Sequence, residues 1–141
     1  MTHDIHHLPT DQAEAAGEAI GQLIGAYNDA QTGLTEEALP LALVLRDEAG
    51  AVTGGLYGRF YYGWLFVALL LVPEALRGRN LGTELMAQAE AAARARGCTG
   101  IWLDTFSFQA RGFYEKLGFT MFGEIEDYPP GFSRYFFKKR L

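Results

Sequence analysis

Hydrophobic positions along the chain change period several times, and each change marks an element. Ala13, Ala16, Ile20, Leu23, Ile24 and Tyr27 recur at helical spacing, which predicts a core-facing amphipathic helix. Thr10 is its candidate cap, Asp11 and Glu14 sit near its positive end, and Gly33 follows its expected stop. Residues 1–9 read as a short first edge strand. Strands are expected over 41–46, 52–60 and 65–72, separated by a turn at 47–50 and a tight turn at Gly63. Residues 65–72 contain no polar side chain, so both faces of that strand should be covered and the strand should be central. A helix is expected over 80–96, with Leu81, Leu85, Met86, Ala89, Ala92 and Ala93 on one face and Gly97 as its stop. A strand over 101–105, a short helix over 109–117 and strands over 119–125 and 134–138 complete the chain. No repeat, linker or low-complexity segment interrupts it.

An antiparallel meander followed by crossovers implies a mixed sheet with helices on its faces. The 141 residues fit one domain, and 49% hydrophobic with 21% charged residues is ordinary globular composition. The net charge of −5 argues against non-specific nucleic-acid binding, which needs a basic surface. Cys98 is the one cysteine, so no internal disulfide forms; it reads as a small core residue, and a reducing compartment is expected. The start of the chain lacks the cationic and apolar regions of a signal peptide, and the longest apolar run, 64–73, is far short of a membrane span, so a cytoplasmic protein without membrane association is expected. His3, His6 and His7 lie at a fraying terminus without a matching carboxylate or cysteine set, so no metal is expected.

The chemistry concentrates where the central strand opens into the second long helix, through Arg77, Gly78, Arg79, Asn80, Leu81, Gly82 and Thr83. The first turn of a helix leaves backbone N–H groups without intrahelical partners, and these suit a diphosphate. Gly78 and Gly82 let backbone approach phosphate closely, and Arg77 and Arg79 add charge-assisted bonds. The spacing is neither a Walker loop nor a dinucleotide fingerprint. A glycine-containing helix start with two solvated arginines is the plain alternative.

The segment resembles the acyl-CoA signature of the GNAT acetyltransferase superfamily, Arg/Gln-x-x-Gly-x-Gly/Ala. Arg77 matches its first position and Gly82 its last, while Asn80 stands where glycine is usual; asparagine also accepts unusual backbone angles. Downstream, residues 110–119 resemble the later helix of that family, which ends in Tyr-Glu-Lys-Leu-Gly-Phe. The resemblance covers most of residues 40–141 and implies a single α/β (α+β) domain over residues 1–141. Its central sheet would be mixed, with about six to seven strands and helices on both faces. It implies acetyl-CoA as acyl donor, with pantetheine docking like an added strand on the main chain of Leu70, Leu71 and Val72. An amide there would polarise the thioester carbonyl. Tyr114 falls on the usual catalytic tyrosine, and Ser107 falls where an asparagine often contacts the cofactor.

The implied reaction is direct attack of an acceptor amine on the thioester in a ternary complex. A lysine-like amine must first lose its proton, at a cost of roughly 4–5 kcal/mol at pH 7. Glu74 and Asp104 are the nearest carboxylates, each with a structural or solvated role as the alternative. The Tyr114 phenol, protonated at neutral pH, is expected to donate to the departing thiolate as general acid. Tyr57, Arg59, Tyr61, Tyr62 and Trp64 cluster before the central strand; by the resemblance Tyr128, Pro129 and Pro130 would cap the other side of an acceptor pocket, and Asp127, near the last loop with Glu124 and Glu126, could attract a cation, a solvated strand end being the alternative. An aromatic wall of this kind suits a cationic or planar amine; ordinary packing or a dimer interface is the alternative. The acceptor is expected to be a small-molecule primary amine or a protein amino group, and a homodimer is compatible with the resemblance. A catalytically silent acyl-CoA sensor is the other reading.

Overall fold

The computed structural model describes residues 3–35 and 37–141, which form two compact units, residues 1–36 and 37–141. Residues 3–9 have no regular structure, so the expected edge strand is absent there; residues 1–2 lie outside the described residues. The first unit is essentially one helix, α1 (Thr10–Thr32), preceded by Pro9 as cap and closed by Gly33 in the left-handed conformation. Thr10 is thus its first helical residue, not its cap. Proline is suited to this entry because its φ is fixed and it has no N–H to leave unpaired. Along α1, Ile20, Leu23, Ile24 and Tyr27 recur at i, i+3, i+4 and i+7, the amphipathic stripe expected of this segment.

The second unit is a six-stranded mixed sheet. Its strands are β1 (Leu39–Arg46), β2 (Val52–Tyr61), β3 (Trp64–Leu71), β4 (Gly100–Phe106), β5 (Thr120–Glu126) and β6 (Ser133–Arg140), in the order β1-β2-β3-β4-β6-β5. Only β3 and β4 run parallel; the crossover between them carries α2 (Leu81–Ala95), and a short α3 (Arg111–Lys116) joins β4 to β5. Alternation along each strand sends Leu56, Phe60, Leu65, Val67, Ile101, Leu103 and Phe137 to one face, where Leu85, Met86, Ala89 and Ala93 of α2 pack on them. Tyr114 and Phe119 extend the same core beneath α3. Both helices of this unit therefore stand on one face of the sheet. The cover expected on the second face is not supplied by any helix within residues 37–141.

The third strand is central, as its apolar run requires, yet its two halves differ. Gly58 pairs with Val67 but Tyr57 pairs with Leu69, so Ala68 is an extra residue bulged out of the β2–β3 ladder. A side chain at Gly58 would collide with the Phe66 carbonyl, which is why this bend needs glycine. Pairing with β4 ends at Val67–Leu103, whereas β3 runs on to Leu71 and β4 to Phe106. The two parallel strands thus part as a fork. Leu69 and Leu71, expected to be covered, are more than half exposed because the neighbour on that side has diverged.

Candidate active site at the β3–β4 fork

One arm of the fork is the end of β3. Over 69–71 its main chain is paired with β2 on one edge and has lost β4 on the other, leaving amide and carbonyl groups available to an extended ligand. Leu70, Leu71 and Val72 lie here, with Leu70 and Val72 half-buried. Pro73 ends the strand, and a single 3-10 turn, Glu74–Leu76, leads to the segment that starts α2.

That segment has the conformation its composition favours. Gly78 sits at φ 82°, and Asn80 at φ 57° and ψ 21°, a left-handed position that asparagine tolerates better than most side chains. No side chain caps α2, and its first backbone bond runs from the Glu84 N–H to the Asn80 carbonyl at 3.0 Å. The N–H groups of Leu81, Gly82 and Thr83 precede that bond and lie at the positive end of the helix dipole. A Cβ on Gly82 would come within 3.3 Å of the Phe113 ring and 3.8 Å of Val72, so glycine allows α2, α3 and the end of β3 to converge. The Arg77 Nε donates to the Val72 carbonyl at 3.4 Å, holding this guanidinium along the exit of β3, and Arg79 is exposed. Arg77, Gly78, Arg79, Asn80, Leu81, Gly82 and Thr83 are therefore gathered at one corner beside Val72.

The second arm is the end of β4. The Thr105 hydroxyl, buried, donates to Gln109 Oε1 at 3.1 Å, and the Phe106 N–H donates to the same oxygen at 2.8 Å, fixing the turn into α3. The Ser107 N–H donates to the Ser133 carbonyl at 2.7 Å and Ser107 Oγ accepts the Ser133 N–H at 2.9 Å. Ser107 thus clamps β4 to β6 and keeps its hydroxyl proton for another partner. Asp104 is ion-paired with Arg134 at 2.8 Å, and Arg134 also donates to the Tyr128 hydroxyl at 3.0 Å while lying over the Phe106, Tyr128 and Phe136 rings. Tyr114 is buried between Phe113, Phe119 and Phe137. Burial, and then the negative charge of Asp104, push its hydroxyl up to about 12, so the phenol stays protonated at any physiological pH.

The expected acceptor residues separate. Tyr128 and Asp127 are near the β4 end, where the Asp127 carboxylate accepts the Gly131 N–H at 3.4 Å. Tyr57 is opposite Leu69 on the β3 arm, and Arg59 lies two residues further back, opposite Phe66. Tyr62 is in the hairpin before β3, its ring tilted by 53° against that of Tyr61 with centroids 4.3 Å apart, at the opposite end of the strand from the fork. The structure also gathers around Tyr128 three rings that the sequence does not single out, those of Phe106, Phe108 and Phe132. Phe106, Phe108, Tyr128 and Phe132 form a contiguous ring cluster, with centroid separations of 5.2–5.7 Å, and Phe108, Tyr128 and Phe132 are 43–57% exposed. The partnership of Asp104 with Arg134 has no local signal because 30 positions separate them; only the β4–β6 register aligns them. Glutamine just ahead of a short helix was the available hint for Gln109. Among the described residues no group of histidine, cysteine and carboxylates could hold a metal, and no helix is long and apolar enough to cross a membrane.

A parallel pair that parts at a bulge, with free helix-start amides beside it, defines an acyl-CoA-type fold. Residues 3–119 match the profile of the Acetyltransferase (GNAT) family, and the chain belongs to that family. It is similar to the protein named Acetyltransferase Atu2258 of Agrobacterium fabrum, 41% identical over 94% of this chain and 96% of the relative. It is also similar to Blasticidin-S acetyltransferase of Streptomyces morookaense, 43% identical over 74% of this chain and 80% of the relative. The crystal structure of a putative acetyltransferase from Agrobacterium tumefaciens superposes with a TM-score of 0.85, covering 100% of both chains at 38% identity. The chain is accordingly an N-acetyltransferase that moves an acetyl group from acetyl-CoA to an amine.

Proposed function

We propose that the acceptor is a small, ring-bearing primary amine and that acetyl transfer occurs in the β3–β4 fork within a ternary complex. The observation that carries this reading is the fork itself, an unpaired strand edge ending beside the free amides of α2. In this reading the diphosphate of acetyl-CoA is held by the N–H groups of residues 81–83 together with Arg77 and Arg79, on backbone shaped by Gly78 and Asn80. Pantetheine pairs with the main chain of Leu70, Leu71 and Val72, and Ser107 donates its hydroxyl proton to the coenzyme. The thioester carbonyl then accepts a β3 amide, as in an oxyanion hole.

The amine enters from the sheet face opposite α2, where Tyr57, Asp127 and the rings of Phe106, Phe108, Tyr128 and Phe132 border the fork. Similarity to a protein named Blasticidin-S acetyltransferase supports a small-molecule acceptor, and the exposed ring cluster suits one with a planar or cationic group. The neutral amine nitrogen attacks the thioester carbon, the C–S bond breaks, and the thiolate leaves. Asp104 is engaged by Arg134 and Glu74 is exposed, so the ammonium proton passes to water rather than to a dedicated side-chain base. With its hydroxyl near 12 and a thiol near about 8.5, complete proton transfer from Tyr114 to the thiolate would be uphill by roughly 5 kcal/mol. Tyr114 therefore acts by donating a hydrogen bond that disperses the thiolate charge, the final proton coming from solvent. The enzyme works without a metal, as a cytoplasmic homodimer.

The test is an amine panel read by free thiol released from acetyl-CoA, with small ring-bearing primary amines beside polyamines and a lysine peptide. The reading requires the ring-bearing amines to turn over best and Arg77→Ala with Arg79→Ala to raise the KM for acetyl-CoA. Turnover confined to the lysine peptide would remove the small-molecule acceptor; an unchanged KM in the double variant would remove the phosphate corner.

A further inference from the structure

One guanidinium, that of Arg134, ties the base of the fork to the ring cluster beside it. On β4 the side chains of Trp102, Asp104 and Phe106 alternate with the buried Ile101, Leu103 and Thr105, and Asp104 is the first residue beyond the last β3–β4 pair at Leu103. Arg134 on β6 stands opposite Phe106 and is a diagonal neighbour of Asp104, so its long side chain runs back along the sheet to reach the carboxylate. Nη2 pairs with Asp104 Oδ2 at 2.8 Å and Nη1 donates to the Tyr128 hydroxyl at 3.0 Å. The guanidinium carbon also lies 5.0 Å from the centre of the Tyr128 ring. An ion pair kept for structure alone favours two parallel N–H donors on one carboxylate. Here Nη1 serves Tyr128 instead, and Nε is buried with no hydrogen-bond partner among the described residues. The loop that carries Tyr128 closes on itself, through the Tyr128 N–H to the Phe132 carbonyl at 3.0 Å and the Phe132 N–H to the Pro129 carbonyl at 2.9 Å. Arg134 therefore supplies the side-chain tie that sets the Tyr128 ring against the end of β4.

We infer that Arg134 determines acceptor specificity, holding Tyr128 as a wall for a ring-bearing amine and withholding Asp104 from linear polycationic amines. This rests on the ring-bearing acceptor proposed above and names the residue that selects it. Both effects come from the same guanidinium. Anchored at its hydroxyl and across its face, the Tyr128 ring keeps one orientation beside Phe106, so a flat acceptor meets a preformed surface and less ordering is needed on binding. The carboxylate at the base of the fork is meanwhile already occupied. Its charge is felt at the Tyr114 hydroxyl, so a cation paired with Asp104 would be held close to the reacting bond. Without the guanidinium, Asp104 becomes such a cation site; with it, a second cation meets like charge. Rejection of the wrong acceptor is thus built into the site as repulsion, alongside the attraction that the wall offers the right one. Lysine could supply the charge but not the planar fork that bridges carboxylate and phenol.

The experiment compares a ring-bearing primary amine with spermidine as acceptors, read by free thiol, and measures acetyl-CoA affinity by calorimetry. Arg134→Met should raise the KM for the ring-bearing amine about 10-fold and raise kcat/KM for spermidine about 5–10-fold, with acetyl-CoA affinity held within about twofold. A structural role alone would lower turnover of both acceptors together, and that result overturns the inference. Asp104→Asn combined with Arg134→Met should keep the rise in KM and abolish the gain with spermidine, because no carboxylate is left to expose; a gain that persists overturns the part given to Asp104. Arg134→Lys should raise the KM for the ring-bearing amine and leave spermidine a poor acceptor. Should Arg134→Met fail to fold, the lysine variant and the double variant decide: a wild-type KM for the ring-bearing amine in either one overturns the inference. A wild type that prefers spermidine or a lysine peptide removes the ring-bearing acceptor and this inference with it. A wild type that prefers ring-bearing amines, while Arg134→Met changes both acceptors alike, leaves that reading standing and removes Arg134 as its selector.

Discussion

Tyr114 carries the most legible chemistry of any single side chain, and its burial makes two consequences measurable. Tyr114→Phe should lower kcat substantially, by roughly 10–100-fold, while calorimetry finds acetyl-CoA affinity nearly unchanged, because in the proposed mechanism the hydroxyl acts on a charge present only as the thioester breaks. A hydroxyl raised from 10 to about 12 in the folded state also stabilises the fold fully below pH 10. As pH rises from 10 towards 12 the unfolded tyrosine ionises first, so that contribution, on the order of 2–3 kcal/mol, is progressively lost. Urea unfolding of wild type and Tyr114→Phe at pH 9 and pH 11 isolates the effect: the stability difference between the two proteins should move towards the variant at the higher pH. Asp104→Asn should lower the Tyr114 value, since the carboxylate is its second cause, yet leave it raised, since burial is the first. Asn80 makes a separate test. Its left-handed backbone predicts that Asn80→Ala costs about 1–2 kcal/mol in urea and weakens acetyl-CoA, whereas Asn80→Gly holds both.

At the scale of elements, the order of helices and strands is legible because the hydrophobic period switches cleanly from 3.6 to 2 and glycine or proline stands at nearly every switch. The conformation of residues 77–83 is legible for the same reason: they form one local segment between an apolar strand and an amphipathic helix. What is not local is not legible. The apolar run of β3 announces a strand covered on both faces but cannot say that β4 leaves it after Val67, because the divergence depends on the Ala68 bulge and on register with two other strands. The Asp104–Arg134 pair and the Phe106–Phe108–Tyr128–Phe132 cluster are likewise products of β4–β6 pairing. Gly58 ties this to energetics. Gly58→Ala forces a methyl group onto the Phe66 carbonyl, so it should destabilise the protein by about 1–3 kcal/mol and raise the KM for acetyl-CoA by shifting the bulge; near-native values of both would mean that the bend does not shape the fork.

For the molecule as a whole, the amphipathic period of α1 announces a helix with one apolar side and leaves open what that side packs on. Periodicity reports that one side of a helix must be covered, not what covers it. Coenzyme binding gives the molecule-scale test of the site. A ligand that binds only the folded state stabilises it by about 2.7 kcal/mol at one hundred times its dissociation constant. For a chain of 141 residues this corresponds to a rise in Tm of roughly 8–10 °C. Acetyl-CoA should produce that rise in wild type and, because Tyr114 contributes to transfer rather than to binding, an equal rise in Tyr114→Phe. Arg77→Ala with Arg79→Ala should lose most of it, and salt should erode the wild-type shift, as expected for charge-assisted bonds to phosphate. Comparing the three by differential scanning fluorimetry at 50 and 500 mM salt separates grip from chemistry. A wild-type shift indifferent to both salt and the arginines would place the coenzyme's phosphates away from the start of α2, whatever the turnover.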